Sequence, residues 1–197
     1  PFANIFIEPD TDDAMLNEDL FPRHFIKSLD PPDSYIGAKD LFVSSGRLHD
    51  ACIREIPNDY PDLLPLKHKS GHEVTGLPPS LIGAVQEYML TRAIRWLDNA
   101  GHEHSAMLIN VSRFNNVQQQ VHDEVYRLLV ATREAIDAWA RSPSWERSEL
   151  LRDLKATWDE EYANTTLWSW DQVRSVLAKA TASIDPRLVN MRGAGID

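Results

Sequence analysis

The chain has 197 residues, of which 43% are apolar and 25% charged, with a formal net charge of −10. This is ordinary globular composition, long enough to bury a real core as one domain or a domain plus part of another. It excludes three classes: no apolar run approaches the roughly 20 residues that span a bilayer, the single cysteine, Cys52, rules out an intrachain disulfide and an all-cysteine zinc site, and the acidic balance argues against an autonomous nucleic-acid binder, since neutralising phosphates needs clustered Lys and Arg.

The chain opens at Pro1, without a methionine, and runs directly into Ala3-Asn4-Ile5-Phe6-Ile7, as a segment cut from a longer protein would. Residues 2–8 are mostly apolar and read as a buried strand, which Pro9 ends. Glu8 to Asp19 holds six acids and no base, the pattern of a solvated loop. Asp19–Leu29 has helical spacing through Leu20, Phe21, Phe25, Ile26 and Leu29, and Pro31-Pro32 stops it. Ile36–Val43 is a short turn of helix or an irregular packing segment. Residues 44–76 contain Pro57, Pro61, Pro65, Gly71 and Gly76 and few periodic apolar positions; a loop that long is functional or mobile.

From Pro79 the pattern sharpens. Leu81, Val85, Tyr88, Met89, Ala93 and Trp96 share one helical face, with Arg92 at its edge, over a helix reaching about Asn99 and stopped at Gly101. Ala106–Val111 is short, flatly apolar and bounded by Ser105 and Ser112, which predicts a strand buried on both faces. Asn115 or Asn116 can cap the next helix. Val117, Val121, Val125, Leu128, Thr132, Ile136 and Trp139 then recur at steps of four and three, the strongest helical signal in the chain, which Pro143 breaks. Trp145–Tyr162 reads as a second helix packing through Leu151, Leu154, Trp158 and Tyr162. Ser169-x-x-Gln172 is a capping box opening a third that buries Val173, Val176, Leu177 and Ala180. Arg187–Met191 reads as a last strand. The order predicts an α/β fold with a helical excess: a mainly helical segment with a few buried strands.

The chemistry concentrates in the loop Ser112-Arg113-Phe114-Asn115-Asn116. Between a buried strand and a helix start, free amide donors, the helix dipole and a cation would meet, a combination that suits a phosphate. Ser112, Arg113, Asn115 and Asn116 are therefore the candidate contacts for nucleic acid or nucleotide. A plain connection with an Asn cap and a surface arginine accounts for the same residues. Asp10, Asp12 and Asp13 could hold a divalent cation, but Ala14-Met15-Leu16 interrupts the ligands and no EF-hand glycine follows. Asp153-Leu154-Lys155 matches half of a restriction-nuclease signature, yet lies mid-helix, where successive side chains diverge. His68-x-x-x-His72-Glu73 has Ser70 and Gly71 inside it, which suits a loop rather than a zinc helix, and His102-Glu103-His104 precedes the apolar run. Neither a Gly-rich phosphate loop nor a nucleophile elbow is present. No catalytic residue and no metal site is assigned.

Three stretches carry a family resemblance: PFANIFIEPD with DLFPRHFI and YIGAKDLF, then LPPSLIGAVQEYMLTRAIRWL with HSAMLINVSRF, and finally PRLVNMRGAG. The chain resembles the Z-one domain family, a bacterial group described as endonucleases and found within helicase-like ATPases of superfamily two. The resemblance implies that residues 1–8 end the last strand of a preceding ATPase lobe. Residues 9–104 would form a helical insert or linker, and 105–197 would begin a second RecA-like lobe with a helical insertion. The phosphate-binding loop and acidic magnesium motif would lie before Pro1, and the arginine-bearing motifs after Asp197. This segment would then hold no cofactor of its own, ATP and Mg belonging to the full-length protein. The resemblance further implies an internal, non-catalytic part of a DNA-dependent ATPase of a restriction or defence system. Its partners would be DNA, the flanking ATPase motifs and defence-system proteins; the single cysteine makes a reducing cytoplasm the expected location, and no membrane partner is expected. The alternatives are a metal-dependent endonuclease using Asp10, Asp12 and Asp13 or the His102–His104 cluster, and a protein-interaction module.

Overall fold

The computed structural model describes residues 36–101 and 103–190. The expected strand at 2–8, the helix at Asp19–Leu29, the acids Asp10, Asp12 and Asp13, and His102 lie outside them. The chain divides into two units, residues 1–55 and 56–197. In the first, α1 (Ala38–Phe42) and α2 (His49–Cys52) are short helices. Asp40 accepts the Gly37 backbone N–H at 3.0 Å and an ion pair from Arg47 at 3.0 Å. With the Gly37 amide first and Arg47 second, these contacts hold the Asp40 carboxyl below the ordinary carboxylate range.

The second unit is built on four longer helices: α3 (Pro79–Leu97), α4 (Asn115–Trp139), α5 (Glu149–Glu161) and α6 (Trp170–Thr181). Helices α5 and α6 each pack against both α3 and α4. The core they share includes Met89, Leu90 and Ala93 of α3, Val117 and Ile136 of α4, Leu151 and Leu154 of α5, and Val173 and Leu177 of α6. The buried polar residues Gln86, Thr132 and Thr181 are satisfied within it, whereas the Trp170 Nε1 donor has no partner. Thr157 donates to Gln86 Oε1 at 2.9 Å, and the hydroxyls of Thr132 and Thr181 donate to carbonyls one turn back.

The helix ends show which local signals acted. Ser169 and Gln172 form the expected capping box at the start of α6. Helix α3 ends in a Schellman motif: Asn99 takes a left-handed φ of 61°, Ala100 N–H donates to Arg95 O at 2.8 Å and Asn99 N–H to Trp96 O at 3.2 Å. Asn99, rather than Gly101, therefore stops the helix; Gly101 lies so close to the Trp96 ring that a Cβ would come within 2.6 Å of it. The expected helix 145–162 is split. Trp145–Arg147 is a 3-10 turn, and Ser148 caps α5 by accepting the Leu151 N–H. The start of α3 is capped from a distance. Pro78 supplies no side-chain cap, and Asp59 accepts both the Ser80 N–H (2.6 Å) and its hydroxyl (3.0 Å). Asp59→Ala is expected to lower stability by about 1 kcal/mol, measured by urea denaturation, with Asp59→Asn recovering part of the loss.

The α/β expectation is overturned. The described residues contain helices and no strand, so among them neither the expected buried strand at 106–111 nor the start of a RecA-like lobe forms. Ala106–Val111 pairs with no neighbouring segment. Its side chains alternate, Met107, Ile109 and Val111 packing on the helices while Leu108 is 89% exposed. Residues 187–190 likewise form no strand. Flat hydrophobicity cannot distinguish a strand buried on two faces from a lone segment packed on one.

Candidate functional site

The loop at the start of α4 is built from three directions. The run Ala106–Val111 delivers Ser112, which is buried; Arg113 bends outward; Phe114, in extended conformation (φ −98°, ψ 120°), is the N-cap. Asn115 and Asn116 are the first two helical residues, and neither side chain caps the helix. The cap expected at one of them is absent; the loop is instead held by Ser112, whose Oγ accepts the Phe114 N–H at 3.0 Å, and by Gln118, whose side chain donates to Ser112 O at 2.7 Å.

His68, 44 residues upstream, completes the loop. Its Nδ1 lies 2.7 Å from Pro65 O and its Nε2 2.7 Å from Ser112 Oγ. A carbonyl only accepts, so Nδ1 carries the proton. In the neutral ring Nε2 is then an acceptor, and the Ser112 hydroxyl donates to it. The imidazole also meets the Phe114 ring edge-on at 5.7 Å. Gln120 adds a second tie, accepting the Val74 N–H at 2.9 Å and donating to His72 O at 3.0 Å. The part of the long 44–76 loop that lies in this unit is thus strapped to the first turns of α4.

What remains free is the part that faces outward. The Val117 and Gln118 amides both donate to Phe114 O, whereas those of Asn115 and Asn116 have no partner among the described residues. The first turn carries no acid. Arg113 is exposed, its guanidinium 4.9 Å from the Phe114 ring centroid. Two amide donors at the positive end of a 25-residue helix, beside a cation steadied on an aromatic face, form an anion-accepting surface.

The four predicted residues thus fall into two roles. Arg113 and the backbones of Asn115 and Asn116 face solvent, while Ser112 is turned inward and shapes the loop. His68 belongs to the loop as well. The sequence offered its histidine spacing as a metal signal, and no local signal pairs it with Ser112. His72 Nε2 is committed to Leu63 O at 2.8 Å. Among the described residues no three His, Cys, Asp or Glu side chains converge on one point. Asp153 and Lys155 lie in the middle of α5, as the sequence places them.

This geometry defines a helical domain whose longest helix presents an anion-accepting start. The chain belongs to the Z1 domain family, whose profile matches residues 80–195, from the first turn of α3 to beyond α6. No curated protein and no solved structure matches the chain. Among the described residues no helix is long and apolar enough to cross a membrane.

Proposed function

We propose that this chain is a non-catalytic, phosphate-contacting segment of a bacterial helicase-like, DNA-dependent ATPase of a restriction or defence system, acting in the cytoplasm. The single observation that carries the contact assignment is the pair of partnerless amides of Asn115 and Asn116 beside exposed Arg113. The resemblance to Z-one domains supplies the ATPase setting. With a net charge of −10, the segment does not attract DNA through its overall field; its contribution is a local grip on one phosphate after other parts of the protein have engaged the strand. Amide and guanidinium donors suit a phosphate oxygen and not a magnesium ion, which takes oxygen ligands. Nucleotide-bound metal therefore belongs to the ATPase motifs elsewhere in the full-length protein, and DNA and defence-system proteins are its partners.

Arg113→Ala in the full-length protein is expected to weaken DNA binding several-fold, nearly uniformly across sequences, and to lower the slope of log affinity against log salt by about 1. Fluorescence anisotropy over a salt series measures both. Unchanged affinity together with unchanged DNA-stimulated ATP hydrolysis would remove the assignment.

A further inference from the structure

A groove of about 650 Å³ lies on the second unit. Its walls are two segments, 105–112 and 183–189, and Val121, Val125 and Leu129 of α4 lie among its lining residues. Both walls alternate with a period of two. Met107, Ile109 and Val111 turn inward and Ala106, Leu108 and Asn110 outward; Ile184, Pro186 and Leu188 turn inward and Asp185, Arg187 and Val189 outward. This is the side-chain rhythm of a β-strand.

Among the described residues neither wall pairs with another strand, although in the second the Ile184 N–H donates to Thr181 O, Arg133 donates to Ile184 O and His122 Nε2 meets Pro186 O, which leaves residues 187–189 as its free backbone. Among the described residues Ala106–Val111 makes no backbone hydrogen bond, so a row of donors and acceptors is left to water. The outward side chains include Leu108, 89% exposed, and Val189, 74% exposed. A six-residue uncharged run, five of its residues apolar and none of them Pro or Gly, is an unprotected edge, with none of the charges or bulges that keep edges apart.

We propose that the groove receives Ala106–Val111 of a second copy of this chain, and that the exchange is reciprocal. The strands then lie in the order 184–189, the second copy's 106–111, 106–111, and the second copy's 184–189. A two-fold axis satisfies both edges with the same six residues, since each copy offers the strand that the other lacks. Charge favours this occupant. The chain carries −10, but residues 105–112 carry none, and the charged groups lining the groove are Arg92, Arg187 and Asp185, one net positive charge with histidine neutral. The two copies therefore meet without setting like charges of the acidic surface against each other there. The inference does not depend on the phosphate-contact reading.

Sedimentation equilibrium of the 197-residue chain tests it, together with hydrogen exchange at the amides of 106–111. The expected result is a reversible dimer with those amides protected. Leu108→Lys sets like charges close together across the new strand pair and is expected to weaken the dimer about tenfold or more. Leu108→Pro removes one donor from the edge, costs no hydrogen bond made among the described residues, and is expected to abolish the dimer. Unchanged exchange in α3 to α6 shows that both variants fold. A monomeric wild type, open-ended polymers, a dimer indifferent to both substitutions, or a dimer with unprotected 106–111 amides would each overturn the proposal.

Discussion

Trp158→Ala is expected to lower the stability of the second unit by about 3–5 kcal/mol, the range for deleting a buried aromatic side chain. Trp158 is 3% exposed and lies where three elements meet. Its ring stacks on Tyr162 at 5.9 Å and tilts against Trp170 of α6 at 6.2 Å; Trp170 in turn meets Trp145 of the 3-10 turn at 5.5 Å. Tyr162 carries the tie onward to α3, its hydroxyl lying 2.8 Å from Thr91 Oγ1. Removing the indole leaves a cavity between helices fixed on several sides, so the site collapses only partly. At about 2–4 °C per kcal/mol for a unit of this size, the melting temperature should fall by roughly 10 °C. Urea denaturation measures the loss directly, and Trp158→Phe should recover a good part of it. A loss under about 1 kcal/mol would mean that the ring cluster is not part of the cooperative core.

Arg133→Met is expected to destabilise by about 1.5–3 kcal/mol, the range for hydrogen bonds made by a charged group. The guanidinium reaches from α4 to the end of α6. Its Nε and one terminal nitrogen donate to Thr181 O at 3.1 and 2.8 Å, and that terminal nitrogen also donates to Ile184 O. It ties the last carbonyl of α6, which also accepts the Ile184 N–H, to a carbonyl of the segment that follows, and places a cation at the negative end of the helix dipole. Arg92 reaches the same helix end from α3, donating to Ala180 O and to the Ser183 hydroxyl at 2.8 and 2.7 Å. Two arginines from two helices thus set the direction in which the chain leaves α6. The Arg133→Met loss should therefore be accompanied by faster amide exchange over 184–190. Arg133→Lys should restore the charge but not the forked donation, and so rescue only part of the stability.

The helices were largely legible because their signals are local. The steps from Val117 to Ile136 locate α4 and its buried face, with one shift: Leu129, not Leu128, is the fully buried residue. Two neighbouring leucines both lie near the stripe, and only the position of the facing helices selects between them. The start of α5 was misplaced because Trp145, though apolar enough to continue the pattern, packs on Trp170 from a 3-10 turn, and Ser148 opens the helix afterwards. The candidate loop at 112–116 was visible as a polar break between an apolar run and a helix. The inward turn of Ser112 was not, because its partner His68 is remote in sequence.

The amino-acid order by itself determined where the long helices lie, which stripes they bury, and that Ser169 with Gln172 would cap α6. Periodicity and capping act over three or four residues and are written in the chain. Only the tertiary structure decided what surrounds each segment. It left Ala106–Val111 unpaired and half exposed, brought His68 onto Ser112, and assigned the cap of α3 to Asp59. Burial, hydrogen-bond partnership and strand pairing each depend on groups that meet through folding, and an apolar run carries no mark of which neighbour, if any, lies beside it.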